Sequence, residues 1–269
     1  MAHLELIRKK PLSSFRKLSL GSWGAPYDPT VYGTLTVRMD EALAYMAAFR
    51  RSTGLELTVT HLVLKALAEA LRRCPDANAV VRFGRIYLRQ RVSVSALVAS
   101  PGPEGGARWR LVRVEDADRK SLEDVVRELG SARDEAPRVV EALPAPLTRW
   151  FLTGLSFLAT TLNLDLSRFG LPKDVAGGAV VADVGALGLD AAYLPLIPFA
   201  RVPVFVAPGA VREVPVVEEG RVGVGRVMSL NASIDHRFID GFHAGVLARA
   251  LQALLEDPAA GFGPVARGP

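Results

Sequence analysis

Residues 229–245, SLNASIDHRFIDGFHAG, carry two histidines, two aspartates and an arginine between two strongly apolar segments. Upstream, RVMSLNASI alternates, with Met228, Leu230, Ala232 and Ile234 on one side and Ser229, Asn231 and Ser233 on the other. That is the period of a strand with one apolar and one polar face. Downstream, Phe242, Val246, Leu247, Ala250, Leu251, Leu254 and Leu255 recur at helical spacing and predict an amphipathic helix opening at Gly241. DHRFIDG is therefore a strand-to-helix turn held at both ends, a setting that fixes a side chain within the tolerance of proton transfer. An imidazole changes charge close to neutrality and suits a general base. His236 is thus a candidate base, with Asp235 and Asp240 placed to set its tautomer or to pair with an arginine, Arg237 being available locally. The same residues also describe a capped helix start with a satisfied histidine, and for one His beside one Asp that plainer reading is preferred.

Outward from the turn, VYGTLTVRM alternates as a strand and runs into DEALAYMAAFRRSTG, where Asp40 is placed to cap a helix and Gly54 to stop it. A second helix in LTVTHLVLKALAEALRRCP repeats Leu62, Val63, Ala66, Leu67, Ala70 and Leu71 on one face and ends at Pro75. His61 in its first turn reads as a helix residue, not a ligand. AVVRFGRIYLRQRVSVSALVAS predicts two or three strands, PGPEGG a flexible turn, and SLEDVVRELGSARDEA a helix capped by Ser121 and Asp124 that buries Leu122, Val125, Val126, Leu129 and Ala132. Three more strands follow in GGAVVADVG, RVPVFVAPGAV and EVPVVEEGRVGVGRVMSLNASI, the last with a hairpin at Glu219-Gly220. Helices and strands alternate without the strict rhythm of a doubly wound sheet. The expected class is α/β, in the sense of an α+β mixed sheet with packed helices. Gly223-x-Gly225 falls inside the hairpin and opens no helix, so it is not a dinucleotide fingerprint.

The 269 residues, 49% of them hydrophobic, suffice for one large domain or two small ones. A single cysteine excludes an intramolecular disulfide framework and a multi-cysteine metal site, and Cys74, at the end of an apolar helix, reads as a packed structural thiol. MAHLELIRKK has no secretory apolar region, so a cytoplasmic protein without a metal is expected. The net charge of +5 is spread along the chain and only six of 33 basic residues are lysine. No nucleic-acid partner is expected, whereas a phosphate-bearing small ligand suits the charge. One segment stands apart: 150–164 is uncharged, bounded by Arg149 and Asp165, and shorter than the ~20 residues that cross a bilayer. It predicts a buried or partner-facing helix, with an interfacial membrane contact or a lid over a ligand as the alternatives.

As a whole, DHRFIDG between a strand and an apolar C-terminal helix resembles the DHRxxDG signature of the acyltransferase catalytic domain of 2-oxoacid dehydrogenase complexes, whose fold is shared with chloramphenicol acetyltransferase. VRMDEALAYMAAFRRSTGLELTVTHLVLKALAEALRRCPDANAVV is similar to the family's first two helices and the P-x-A-N after them. RVSVSALVAS, DADRKSLEDVVREL and GGAVVADVGALGLDAAYLPLIP are similar to its later elements in order, so the resemblance covers most of Tyr32 to Pro258. It implies the CoA-dependent acyltransferase fold and transfer of an acyl group between coenzyme A and a thiol such as dihydrolipoamide. His236 would be the general base, Asp240 would hold an arginine and support the geometry, and Ser229, Asn231 and Ser233 would line the coenzyme A site. A homotrimer with its active site between subunits is implied, with further assembly into a cage.

Three departures from the family bear on this. The family's T-x-S-N-L-G strand supplies a hydroxyl to the oxyanion, but the aligned VVADVG places Ala182 where the serine belongs and Asp183 where the asparagine would be. Loss of one such donor costs ~10²–10³ in turnover, and Ser229, Ser233 or Asn231 are the candidate substitutes. Residues 1–30 are expected to be an extension packing on the domain or on a neighbouring subunit, and 31–269 the catalytic domain. No lipoyl group is expected on this chain, so either the acceptor arrives on a lipoyl-bearing partner protein or the thiol partner is a different one. The third departure is the apolar insert near 143–171. A non-catalytic trimer of the same fold, serving as scaffold or assembly core, is the alternative function.

Overall fold

The structure, a computed structural model, describes residues 4–8, 29–101, 107–131 and 145–265. In chain order its strands are Leu6–Arg8 (β1), Thr30–Arg38 (β2), Ala79–Arg82 (β3), Arg85–Arg89 (β4), Val94–Pro101 (β5), Ala107–Val114 (β6), Ala179–Ala182 (β7), Val204–Pro208 (β8), Arg212–Glu218 (β9) and Arg221–Asp235 (β10). Its α-helices are Asp40–Thr53 (α1), Val59–Arg73 (α2), Leu122–Ser131 (α3), Ala145–Ser156 (α4), Gly241–Glu256 (α5) and Pro258–Phe262 (α6). Most of the predicted PGPEGG turn, and Ala132 of the predicted third helix, lie outside the described residues.

The main sheet runs β2-β10-β8-β7-β5-β6, with β9 paired to the first half of β10. β5, β7 and β8 are parallel neighbours and the remaining pairs are antiparallel, which is the mixed sheet the element order calls for. Strand parity separates two faces. Val37, Met228, Leu230, Ile234, Val204, Val206, Ala179, Val181, Val94, Ala96 and Val114 join one core with the apolar sides of α2, α3 and α5. The other face carries Asn231, Ser233 and Ala182, and there Val180 and Phe205 pack with Ala176 and Val202 under Leu194, Leu196 and Ala200 of the irregular segment before β8.

Local chemistry explains most boundaries. Thr58 and His61 form a capping box at the start of α2, and Ser121 and Asp124 form another ahead of α3, each satisfying first-turn amides. Gly54 ends α1 in the left-handed region at φ 71°, as expected. Asp40, however, is the first helical residue and not the cap; Met39 holds that position, and the Asp40 carboxylate binds Arg38 and the Arg226 amide. The hairpin between β9 and β10 turns on Glu219 and Gly220 at φ 49° and 76°, the paired left-handed residues that match strand twist. Cys74 is a buried free thiol.

Two strands escape sequence reading. β6, ARWRLVRV, carries three arginines that mask its strand pattern. β1 is an edge strand of a small sheet, β1-β4-β3, and its neighbour Leu4 binds Asn163 through both backbone groups.

Candidate active site

The 235–240 turn is pinned from every side. At the end of β10 the Asp235 amide donates to the Pro203 carbonyl and the His236 amide to the Pro29 carbonyl, both at 2.9 Å. The Asp235 carboxylate is buried and is gripped by Arg237, whose Nε lies 3.0 and 3.2 Å from its two oxygens and whose Nη2 lies 2.6 Å from Oδ2. Such a forked, charge-assisted pair repays burial only when its geometry is good, as here. Phe238 and Ile239 anchor the turn in the core. Asp240 then caps α5, accepting from the amides of Phe242 and His243 at 3.0 and 3.2 Å.

In the structure the turn's arginine goes to Asp235, and Asp240 meets His243 Nδ1 at 2.5 Å, while His243 Nε2 lies 3.2 Å from Asp76 Oδ2. His243 is thus a satisfied histidine at a capped helix start. A carboxylate oxygen stands at each of its ring nitrogens, so both are engaged within the fold. His236 is half-buried, with its Nδ1 inside. Phe242, expected on the buried side of α5, is 73% exposed, and its ring stands edge-on to His243.

Ser229, Asn231 and Ser233 share the second face of β10, as their alternation predicts. Asn231 is already committed: it accepts from Thr34 Oγ1 at 3.0 Å and donates to the Ala207 carbonyl at 3.2 Å, and the Thr34 hydroxyl in turn contacts Tyr193. Ser233 is buried, and its hydroxyl has no protein partner among the described residues. Ala182 lies on the same face two strands away, on β7, and is buried. Asp183 is turned out of this group. Its carboxylate accepts from Thr60 Oγ1 of α2 and from the Ala186 amide, both at 2.9 Å, so it is held away from the polar face of β10. His243 was legible as a second polar residue in the first turn of α5; Asp76, Thr34 and Tyr193 reach the site only through the fold.

The apolar stretch forms α4 and a π turn, Phe157–Thr161. Ser156, Ala159, Thr160 and Thr161 are buried, but Trp150 is 77% exposed and Phe151, Phe157, Leu158, Leu162 and Leu164 are exposed as well, so of the buried or partner-facing helix expected, the single chain buries only one side. Among the described residues no helix is long and apolar enough to cross a membrane, and no cluster of His, Cys, Asp or Glu could hold a metal ion.

The architecture is that of the CoA-dependent acyltransferases. The atomic structure of the cubic core of the pyruvate dehydrogenase multienzyme complex superposes with a TM-score of 0.62 at 21% identity, covering 94% of this chain and 93% of the other. A structure of Azotobacter vinelandii dihydrolipoamide acetyltransferase, studied for the catalytic roles of a serine, a histidine and an asparagine, superposes at 0.61 with 22% identity over 94% and 93%. Chloramphenicol acetyltransferase does so at 0.53 with 14% identity over 93% and 100%. The model of the 2-oxoacid dehydrogenases acyltransferase (catalytic domain) family matches residues 22–138 and 170–262, and the chain belongs to that family. The unmatched stretch between them holds α4 and the π turn. Among curated proteins, the chain is 28% identical over 205 residues to the dihydrolipoyllysine-residue acetyltransferase component of the pyruvate dehydrogenase complex of Rhizobium meliloti (strain 1021), 76% of this chain and 38% of that protein. It is 26% identical over 220 residues to the dihydrolipoyllysine-residue succinyltransferase component of the 2-oxoglutarate dehydrogenase complex of Escherichia coli (strain K12), 82% of this chain and 46% of that protein. The aligned region thus spans less than half of each relative.

Proposed function

We propose that this chain moves an acyl group between coenzyme A and a dihydrolipoyl-type thiol, with His236 as general base. The observation that carries the reading is the rigid turn: His236 is held at a strand end by backbone bonds on both sides, while the neighbouring histidine is locked by two carboxylates. A thiol with a pKa near ~8.5 is mostly unreactive at neutral pH, so removal of its proton is the step a base must assist. His236 Nε2 would take that proton as the sulfur attacks the thioester carbonyl. Collapse of the tetrahedral intermediate would expel the other sulfur, which takes the proton back from the imidazolium. Coenzyme A supplies the thiol or the thioester. On the chain's side, the Ser233 hydroxyl fits a polar contact to it or to the developing oxyanion, because it is buried without a protein partner, whereas Asn231 is spent on Thr34 and Ala207. Asp183, bound to Thr60, does not oppose that charge.

A homotrimer is part of this reading. Tyr32, Tyr193, Ile197 and Phe199 are exposed over the second sheet face, and a second copy of the chain would cover them. A lipoyl-bearing partner protein in the cytoplasm would deliver the acceptor. Ala182 favours a second reading, a scaffold of the same fold, since no hydroxyl stands at that position. The deciding experiment measures coenzyme A release from a panel of acyl-CoAs with dihydrolipoamide, native against His236→Ala. Loss of about 10²–10⁴-fold in the variant is expected for a positioned base. Equal rates would overturn the role of His236, and no turnover by an intact native trimer would leave the scaffold.

A further inference from the structure

Arg201 stands two residues before Pro203, whose carbonyl holds the Asp235 amide beside His236. Its backbone lies in the left-handed region at φ 50°, uncommon for a residue other than glycine and a sign that its surroundings dictate its place. The guanidinium is half-buried. Nε donates to Ser156 Oγ at 3.2 Å and Nη1 to the Val81 carbonyl at 3.3 Å, both neutral acceptors. Among the described residues no carboxylate pairs with it. The charge it feels is another arginine: burial first, and then the nearby Arg237, hold the Arg201 guanidinium below its ordinary value. Arg237 is compensated by Asp235, so this corner holds two guanidinium groups and one carboxylate.

A half-buried cation with neutral partners, set against a second cation, is an unfavourable arrangement that an anion relieves. A guanidinium presents its N–H groups in a fork that matches carboxylate and phosphate oxygens, and Nη2 of Arg201 has no protein acceptor among the described residues. We propose that Arg201 anchors an anion subsite beside the catalytic turn, which takes a carboxylate or phosphate oxygen carried by the acyl-CoA substrate. The inference rests on the transferase reading and names the substrate feature it selects. Two sources supply that chemistry, the terminal carboxylate of a dicarboxylic acyl group and a phosphate of the coenzyme.

The test compares native protein with Arg201→Gln and Arg201→Lys on succinyl-CoA, acetyl-CoA and acetyl-3′-dephospho-CoA, beside equilibrium binding of coenzyme A and of succinate in the absence of turnover. If the acyl carboxylate is the ligand, Arg201→Gln lowers kcat/KM for succinyl-CoA by about 10- to 100-fold and leaves acetyl-CoA within about twofold. If a phosphate is the ligand, both thioesters and the Kd of coenzyme A weaken together, and the dephospho substrate loses the same factor in the native protein when the 3′-phosphate is the group held. Arg201→Lys, which keeps the charge, restores part of either loss. Native values for every thioester and both binding constants in a folded Arg201→Gln protein would overturn the subsite. Should the native protein turn over no thioester, the binding constants alone decide, and the failure of the transferase reading is seen separately.

Discussion

Two histidines flank Asp240, and their surroundings differ. His243 spends both nitrogens on carboxylates, whereas His236 keeps its ring at the strand end with Nδ1 buried. A third histidine gives a pH test that is independent of catalysis. Burial holds the His61 imidazole below its ordinary value of 6.5, and its Nδ1 accepts from the Thr58 amide at 3.1 Å and lies 2.7 Å from Thr58 Oγ1. Because the folded value is the lower one, the unfolded chain binds the extra proton first as pH falls through 6.5. Stability therefore declines on acidification below that point, and this contribution is flat above it. Denaturant midpoints across this range should show the decline in the native chain and a shallower one in His61→Gln; an unchanged slope would remove His61 as its source.

At the scale of elements, the site is where three of them are tied together. Asp240 caps α5, and His243 carries that cap across to Asp76 in the turn that follows α2, joining two helices packed on the same sheet face. Asp76→Ala and His243→Ala should each destabilise by about 1–3 kcal/mol, and a double-mutant cycle in urea should give a coupling of about 1–2 kcal/mol. Additive losses would mean that the bridge carries no coupling energy. The neighbouring P-D-A-N turn has its own logic. Asn78 Nδ2 donates to the Arg91 carbonyl, and its Oδ1 lies where a side chain at 178 would begin, 2.0 Å from an ideal Cβ, so only glycine fits there. Sequence periodicity found α1, α2, α3, α5 and most strands because each buries one face. It missed β6, where arginines interrupt the apolar alternation, and it misplaced Phe242, which the first turn of α5 leaves outside the core.

For the whole molecule, the exposed apolar surface is the main unanswered demand of the fold. Beyond the second sheet face, the hairpin of β9 and β10 aligns Val217 with Val222 and Pro215 with Val224, placing exposed valines on one side of a two-stranded arm. Light scattering of the native chain should return the mass of a trimer, and Val222→Glu with Val224→Glu should shift it toward monomer; a native monomer at micromolar concentration would sink the shared-site reading. The exposed rings of α4 and its π turn belong to the same question, and co-sedimentation with liposomes separates a membrane contact from a protein one. The sequence by itself determined the strand-turn-helix around His236, the polar face of Ser229, Asn231 and Ser233, and the family resemblance, because these depend on local period and on one contiguous heptapeptide. Only the tertiary structure decided the partners. Asp235 took the arginine, Asp240 took His243, Asp183 turned to Thr60, and Arg201 came to lie beside Arg237. Several of these contacts join residues far apart in the chain, and even the adjacent ones depend on strand order and helix placement, which no local pattern encodes.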